Sequence, residues 1–226
     1  CSFTSSFGNL LTENDKKRMY SVYRKSCFVM NSLAFICCAG FIACIQDFIY
    51  IVFGSNFVLS FSCVLILVFS MLIYLLDIPI ISVQNAMGLH RCDAGVMIIQ
   101  AVLAIACGYG AGKVWGMERI LLGLTIPTVI FTFIHKGIVI IKVAFEVTSY
   151  KYLKDMGSDL IKGIVIIGVI SAICNCIPAW NPVIAMILKG ILSVIISGIL
   201  IIAFSFKSEY FKETLAMLMR VLKLQK

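Results

Sequence analysis

The sequence predicts an all-α, polytopic membrane protein, a helix bundle of about six transmembrane spans. Of its 226 residues, 61% are hydrophobic and 13% charged, and the mean hydropathy is +1.04, which lies outside the range of soluble domains. Long uncharged stretches approach the roughly 20 residues that a helix needs to cross a bilayer. They are too long for the strands of a membrane β-barrel and lack their strict alternation.

Turns rich in Gly, Pro and Asn separate the predicted spans. The spans are predicted near residues 27–50, 57–84, 94–112, 119–142, 162–178 and 183–206. Residues 1–26 are interpreted as the end of a preceding helix and a charged connector on the membrane surface, 27–206 as the six-helix bundle, and 207–226 as a basic amphipathic tail. Two spans carry small residues three or four apart, which lets helices approach closely in lipid. These are Ala101, Ala104, Gly108 and Ala111 in the third span, and Gly190, Ser193 and Ser197 in the sixth.

The net charge of +8 is explained by the predicted membrane topology. Most of the 19 Lys and Arg residues fall in residues 1–26, in 136–162 and in the tail. The positive-inside rule then places both ends in the cytoplasm. We therefore expect the basic surplus to contact membrane lipid headgroups, and we expect no nucleic-acid partner.

The residue types that support catalysis are sparse. Eight of the ten cysteines fall within or at the edges of predicted spans, where a thiol acts as a small hydrophobe, and none has the spacing of a zinc site. The sequence contains two histidines and no hydrolase, metalloprotease or nucleotide-binding motif. We predict no disulfide, no metal and no cofactor, and a protein that is not an enzyme.

An acidic group lies inside the second span, where a charge costs roughly 2.5–3.5 kcal/mol on insertion scales. Asp77 lies near the inner boundary of this span and is followed by Pro79. Two interpretations are open: a carboxylate that reaches water or a basic neighbour, or a hinge at the mouth of a transport cavity. The cytoplasmic turn that follows is predicted at Asn85 and Gly88.

Three basic or titratable side chains are further candidates. Lys189 lies about 12 Å of helix below the outer turn, so it either extends to the interface or lines a water-filled cavity where it would bind an anion such as phosphate. His135 and Lys136, in the inner third of the fourth span, are either interface anchors or cavity residues. The substrate-cavity candidates are Lys189, His135, Lys136 and Asp77.

Four short motifs carry a resemblance to a known family. They are SSFGNL at 5–10, QDFI at 46–49 followed by FGSNF at 53–57, NAMGLH at 85–90, and GME at 116–118 with LLG at 121–123. In this order and spacing they resemble the C-terminal half of Wzx-type polysaccharide flippases. These belong to the exporter superfamily that also holds multidrug extruders and lipid II flippases.

The resemblance implies one half of a transporter with two bundles around a central cavity. Such a protein moves undecaprenyl-pyrophosphate-linked oligosaccharide across the bacterial cell membrane by alternating access. The expected partners are this lipid-linked substrate, membrane lipids, the missing N-terminal half-bundle of a truncated or split gene product, and polysaccharide assembly proteins. The alternatives are a multidrug or small-solute exporter of the same superfamily and a membrane oligosaccharide polymerase, although the short outer loops disfavour an enzyme.

Overall fold

The structure, a computed structural model, describes residues 16–115, 117–145, 148–177 and 181–206. Its helices are α1 (Lys16–Phe53), α2 (Phe61–Met87), α3 (His90–Trp115), α4 (Met117–Thr128), a π-helical segment (Val129–Lys136), α5 (Gly137–Phe145), α6 (Ser149–Asn175) and α7 (Pro182–Ser205). A single 3₁₀ turn, Ser55–Phe57, follows α1. The SSFGNL motif and the predicted tail lie outside the described residues.

The described part of the chain is helical and holds no strand, which confirms the all-α prediction. Five helices, α1, α2, α3, α6 and α7, are long and apolar enough to cross a membrane. The predicted span at 119–142 corresponds to α4, the π-helical segment and α5 in series, none of which alone reaches that length. The count of six spans therefore stays a prediction.

Helix α1 is the central element of the bundle, packing against α2, α5, α6 and α7. Residues 16–26, expected on the membrane surface, form its first turns, and Met19 and Tyr23 are buried in the core. Glycine permits one of the closest contacts around α1. A Cβ on Gly163 of α6 would lie 2.7 Å from the Phe35 ring of α1.

The contact between α1 and α7 is built from small side chains. Ser193 and Ser197 are fully buried, and a Cβ on Gly190 would lie 3.2 Å from the Cys44 sulfur of α1. This confirms the close helix approach predicted from the small-residue stripe of the last span, because small residues let the two backbones come near each other.

Helices α3 and α4 form a hairpin at the side of this core. A Cβ on Gly123 of α4 would lie 2.8 Å from the backbone of Cys107 on α3, and one on Gly108 would lie 3.3 Å from Leu124. Apart from this hairpin contact, α3 packs mainly against the π-helical segment. Most of its large apolar side chains are exposed.

Two turns rest on glycines in the left-handed region, where residues with a Cβ are disfavoured. Gly54 (φ 89°) follows α1, and Gly88 (φ 66°) ends α2. At Gly88 the helix is closed by the amide of Leu89, which donates to the Gln84 carbonyl at 3.1 Å. The QDFI and NAMGLH motifs thus lie at the ends of consecutive helices.

Candidate functional site: two polar clusters along one helix

The first polar cluster is an ion pair between α1 and α7, here called the Asp47 pair. The Lys189 ammonium donates to Asp47 Oδ2 at 2.7 Å, and the two side chains are only 13% and 14% exposed. Both residues lie within helices that could span a membrane. Because the two charges offset each other, the pair is less costly within a span than a lone charge would be.

The second cluster, the Arg24 network, lies nearer the other end of α1 and joins it to α6. The Arg24 guanidinium lies 3.6 Å from both Asp155 Oδ2 and Asp159 Oδ2. Asp159 also accepts hydrogen bonds from Asn31 Nδ2 and from the Lys162 ammonium, each at 3.0 Å. The Tyr20 hydroxyl donates to Asp155 at 3.2 Å. Asp159, with three donors around it, is the hub of the network.

Helical spacing explains why these groups meet. Tyr20, Arg24 and Asn31 recur at i, i+4 and i+11 and therefore share one face of α1, while Asp155 and Asp159 are one turn apart on α6. This stripe was visible in the sequence, but the sequence interpretation used Arg24 and Lys162 only as topology signals. Tyr20, Asn31, Asp155 and Asp159 were not among its candidates.

A small cavity of about 60 Å³ adjoins the Arg24 network, with room for a few water molecules. Its walls come from α1, α6 and α7 and include Arg24, Asn31, Asp159 and Lys162. Asn31 is 3% exposed, and its Oδ1 has no hydrogen-bond partner among the described residues. A buried acceptor of this kind needs a donor, which a bound molecule would supply.

Lys189 and Asp77, two of the four predicted substrate-cavity residues, lie at different depths of the bundle. Lys189 lies about 10 Å of helix from the start of α7, whereas Asp77 lies about 24 Å from the start of α2 at the same end of the bundle. His135 is exposed on the π-helical segment, and Lys136 ends that segment. Lys189, Asp77 and His135 do not line the cavity beside the Arg24 network.

Asp77 and the hinge candidates lie around the second half of α2. Asp77 is 1% exposed and close enough to the Tyr152 hydroxyl of α6 for a direct electrostatic interaction. Pro79 is buried inside α2, which remains helical from Phe61 to Met87. The Tyr152 ring also fills the space beside Gly137, so α2, α5 and α6 meet here.

The described residues form an all-α bundle with five helices long and apolar enough to cross a membrane, and both clusters pair buried charges between helices. Comparison with protein-family models, with curated proteins and with solved structures finds no match.

Proposed function

We propose that this chain is the C-terminal half of a flippase that exports undecaprenyl-pyrophosphate-linked oligosaccharide for surface polysaccharide synthesis. The Asp47 pair carries the proposal. Ionisable residues inside a membrane span are costly, and where they occur they commonly mark a substrate path. Asp47 also belongs to the QDFI motif, one of the stretches on which the flippase resemblance rests.

The pair supports a specific role for Lys189. In the described conformation its charge is occupied by Asp47. A transporter that alternates between two states would release this ammonium in one of them, making it available to the substrate pyrophosphate. Helix α1 is joined to α6 by the Arg24 network near one end and to α7 by the Asp47 pair near the other.

Complementation of a bacterial strain that lacks its own oligosaccharide flippase tests the proposal. The chain would be expressed together with the N-terminal half of an oligosaccharide flippase, and surface polysaccharide would be measured. We expect export to be restored, to be lost with Lys189→Gln and to be largely kept with Lys189→Arg. Lys113→Gln, which removes a charge from an exposed position on α3, is the control. Unchanged export by Lys189→Gln would remove this residue from the mechanism.

The same strains separate the proposed function from its alternatives. A multidrug exporter would raise drug resistance without restoring polysaccharide. A polymerase would alter glycan length while its lipid-linked substrate still reached the outer leaflet. Either result would overturn the flippase proposal.

The proposed location is the bacterial cytoplasmic membrane, with the C-terminus in the cytoplasm. The distribution of basic residues supports this orientation. A membrane-impermeant thiol reagent added outside the cell should label an Asn181→Cys variant and spare a Ser208→Cys variant. The reverse pattern would invert the topology.

A further inference from the structure

The length of α1 indicates that the cavity beside the Arg24 network lies near the depth of lipid phosphates. From Asn31 to the end of α1 at Phe53 the helix rises about 33 Å, and the hydrocarbon core of a bilayer is about 30 Å thick. If Phe53 marks one boundary of that core, Asn31 lies at the other. Arg24, two turns further along α1, then lies in the headgroup layer.

The walls of the cavity combine charged residues with apolar ones. The lining includes two cations, Arg24 and Lys162, and the carboxylate of Asp159. Asp155, which lies 3.6 Å from Arg24, is a second carboxylate beside them. Lys162 gives one of its three N–H donors to Asp159 at 3.0 Å, which leaves donor capacity for an anion. The remaining wall is largely apolar and continues to the surface of the bundle. Its apolar members are Phe28, Phe35, Ile166, Ile201 and Phe204, and Ser32 and Ser205 complete it.

The buried Asn31 Oδ1 sets a second requirement for the molecule that occupies the cavity. Asn31 donates through Nδ2 to Asp159, which fixes its amide and directs Oδ1 elsewhere. Since Oδ1 is buried and has no partner among the described residues, the occupant should bring a hydrogen-bond donor. A phosphate diester without hydroxyl groups would not satisfy it, whereas a hydroxylated headgroup would.

We propose that this cavity binds one anionic phospholipid with a hydroxylated headgroup, of the phosphatidylglycerol class. Its headgroup enters the cavity beside Lys162 and Arg24, and a headgroup hydroxyl donates to Asn31 Oδ1. The acyl chains stay outside the cavity, on the bundle surface near the exposed ring of Phe204. Basic pockets between transmembrane helices are known to hold anionic headgroups in this way. The proposal concerns a resident lipid and does not depend on transport.

Native mass spectrometry of the full chain in detergent, titrated with single lipids, tests the proposal. We expect one phosphatidylglycerol to be retained in preference to phosphatidylcholine. Phosphatidylmethanol, which has the same phosphate without hydroxyls, should bind more weakly. Lys162→Gln should weaken phosphatidylglycerol binding about five-fold, the order expected for one basic side chain near an anionic lipid, and Lys162→Arg should preserve it.

Lys154→Gln is the matched control, because it removes the same charge from an exposed position of the same helix outside the cavity. Equal weakening by Lys154→Gln and Lys162→Gln would show diffuse surface attraction and overturn the proposal. Equal retention of phosphatidylcholine would overturn it too. Displacement of the lipid by millimolar inorganic phosphate would show that Arg24 and Lys162 bind a free anion. Equal binding of phosphatidylmethanol and phosphatidylglycerol would show that no headgroup hydroxyl donates to Asn31.

Discussion

The core of α1, α2, α6 and α7 and the hairpin of α3 and α4 are both made of apolar helices, yet they are held together differently. In α2, 44% of the most apolar stretch is buried by the rest of the chain, against 6% in α3. The core combines interlocking side chains with the Arg24 network and the Asp47 pair. The hairpin relies on glycines that let two backbones touch.

The difference shows that hydrophobicity does not decide which helices pack. Lipid tails are as apolar as leucine, so helices in a bilayer gain little from burying apolar surface against each other. Close packing and polar contacts must supply the association. The core has both, whereas α3 meets α4 chiefly through small side chains and one long hydrogen bond, from Gln100 Nε2 to Thr128 Oγ1 at 3.5 Å.

The largest expected effect comes from breaking the Asp47 pair in the core. Lys189→Gln leaves the Asp47 carboxylate buried without its cation, so the free energy of unfolding should fall by about 3–5 kcal/mol. Unfolding by SDS in mixed micelles measures it. The double variant Asp47→Asn with Lys189→Gln removes both charges and should recover most of the loss. If the double variant is as unstable as the single one, the pair is not the cause.

A smaller loss is expected from overfilling the core between α1 and α6. Gly163→Val places a Cβ 2.7 Å from the Phe35 ring and 3.1 Å from Leu72, and overpacking of this kind typically costs about 1–3 kcal/mol. The same unfolding assay applies. Gly168→Val, on the same helix with open space at its Cβ, carries the same propensity change and should cost distinctly less. Equal losses would mean that α6 is not tightly packed at Gly163.

In the hairpin, a bulky residue in place of a closely packed glycine should separate α3 from α4 and leave the core largely unaffected. Gly123→Leu drives a side chain into the backbone of Cys107, 2.8 Å from its Cβ. With so little of α3 buried, we expect a loss of stability of only about 1 kcal/mol. Cross-linking between Gly112→Cys and Ile120→Cys, which lie in contact across the hairpin, should decline sharply.

Gly110→Leu is the hairpin control, because nothing lies within 4 Å of its Cβ. Cross-linking should persist in this variant. A similar decline in both variants would contradict the close approach at Gly123.

The smallest effect is expected on the outer face of α3. Ile105 is 70% exposed, so Ile105→Ala should change the free energy of unfolding by less than about 0.5 kcal/mol. Ile166→Ala, a fully buried counterpart in α6, should cost about 2–5 kcal/mol. Should Ile105→Ala prove as costly, this face of α3 is covered by a partner in the assembled protein.

Much of the fold could be predicted because bilayer-length apolar runs and glycine turns are local signals. Gly190, Ser193 and Ser197 also identified the last helix as a close-packing one. The amphipathic spacing of Met19 and Tyr23 was less informative. A helix lying on a membrane and the buried end of a longer helix share the same pattern.

The candidate site was less predictable because it depends on contacts between distant parts of the chain. Lys189 was identified by its depth, but Asp47 is 142 residues away, and no local pattern indicates which helices are neighbours. The Arg24 network could have been found from the stripe on α1, once the paired carboxylates of α6 were considered with it.

The length of α1 has a mechanical consequence. Its 38 residues form one unbroken rod about 57 Å long, longer than the roughly 40–45 Å thickness of a bilayer with its headgroups. Tilting such a rod by about 10° around its midpoint swings each tip by about 5 Å, close to one helical turn. A sub-ångström displacement of α1 near its midpoint would therefore be amplified at its two tips. The bundle would open at one membrane face and close at the other.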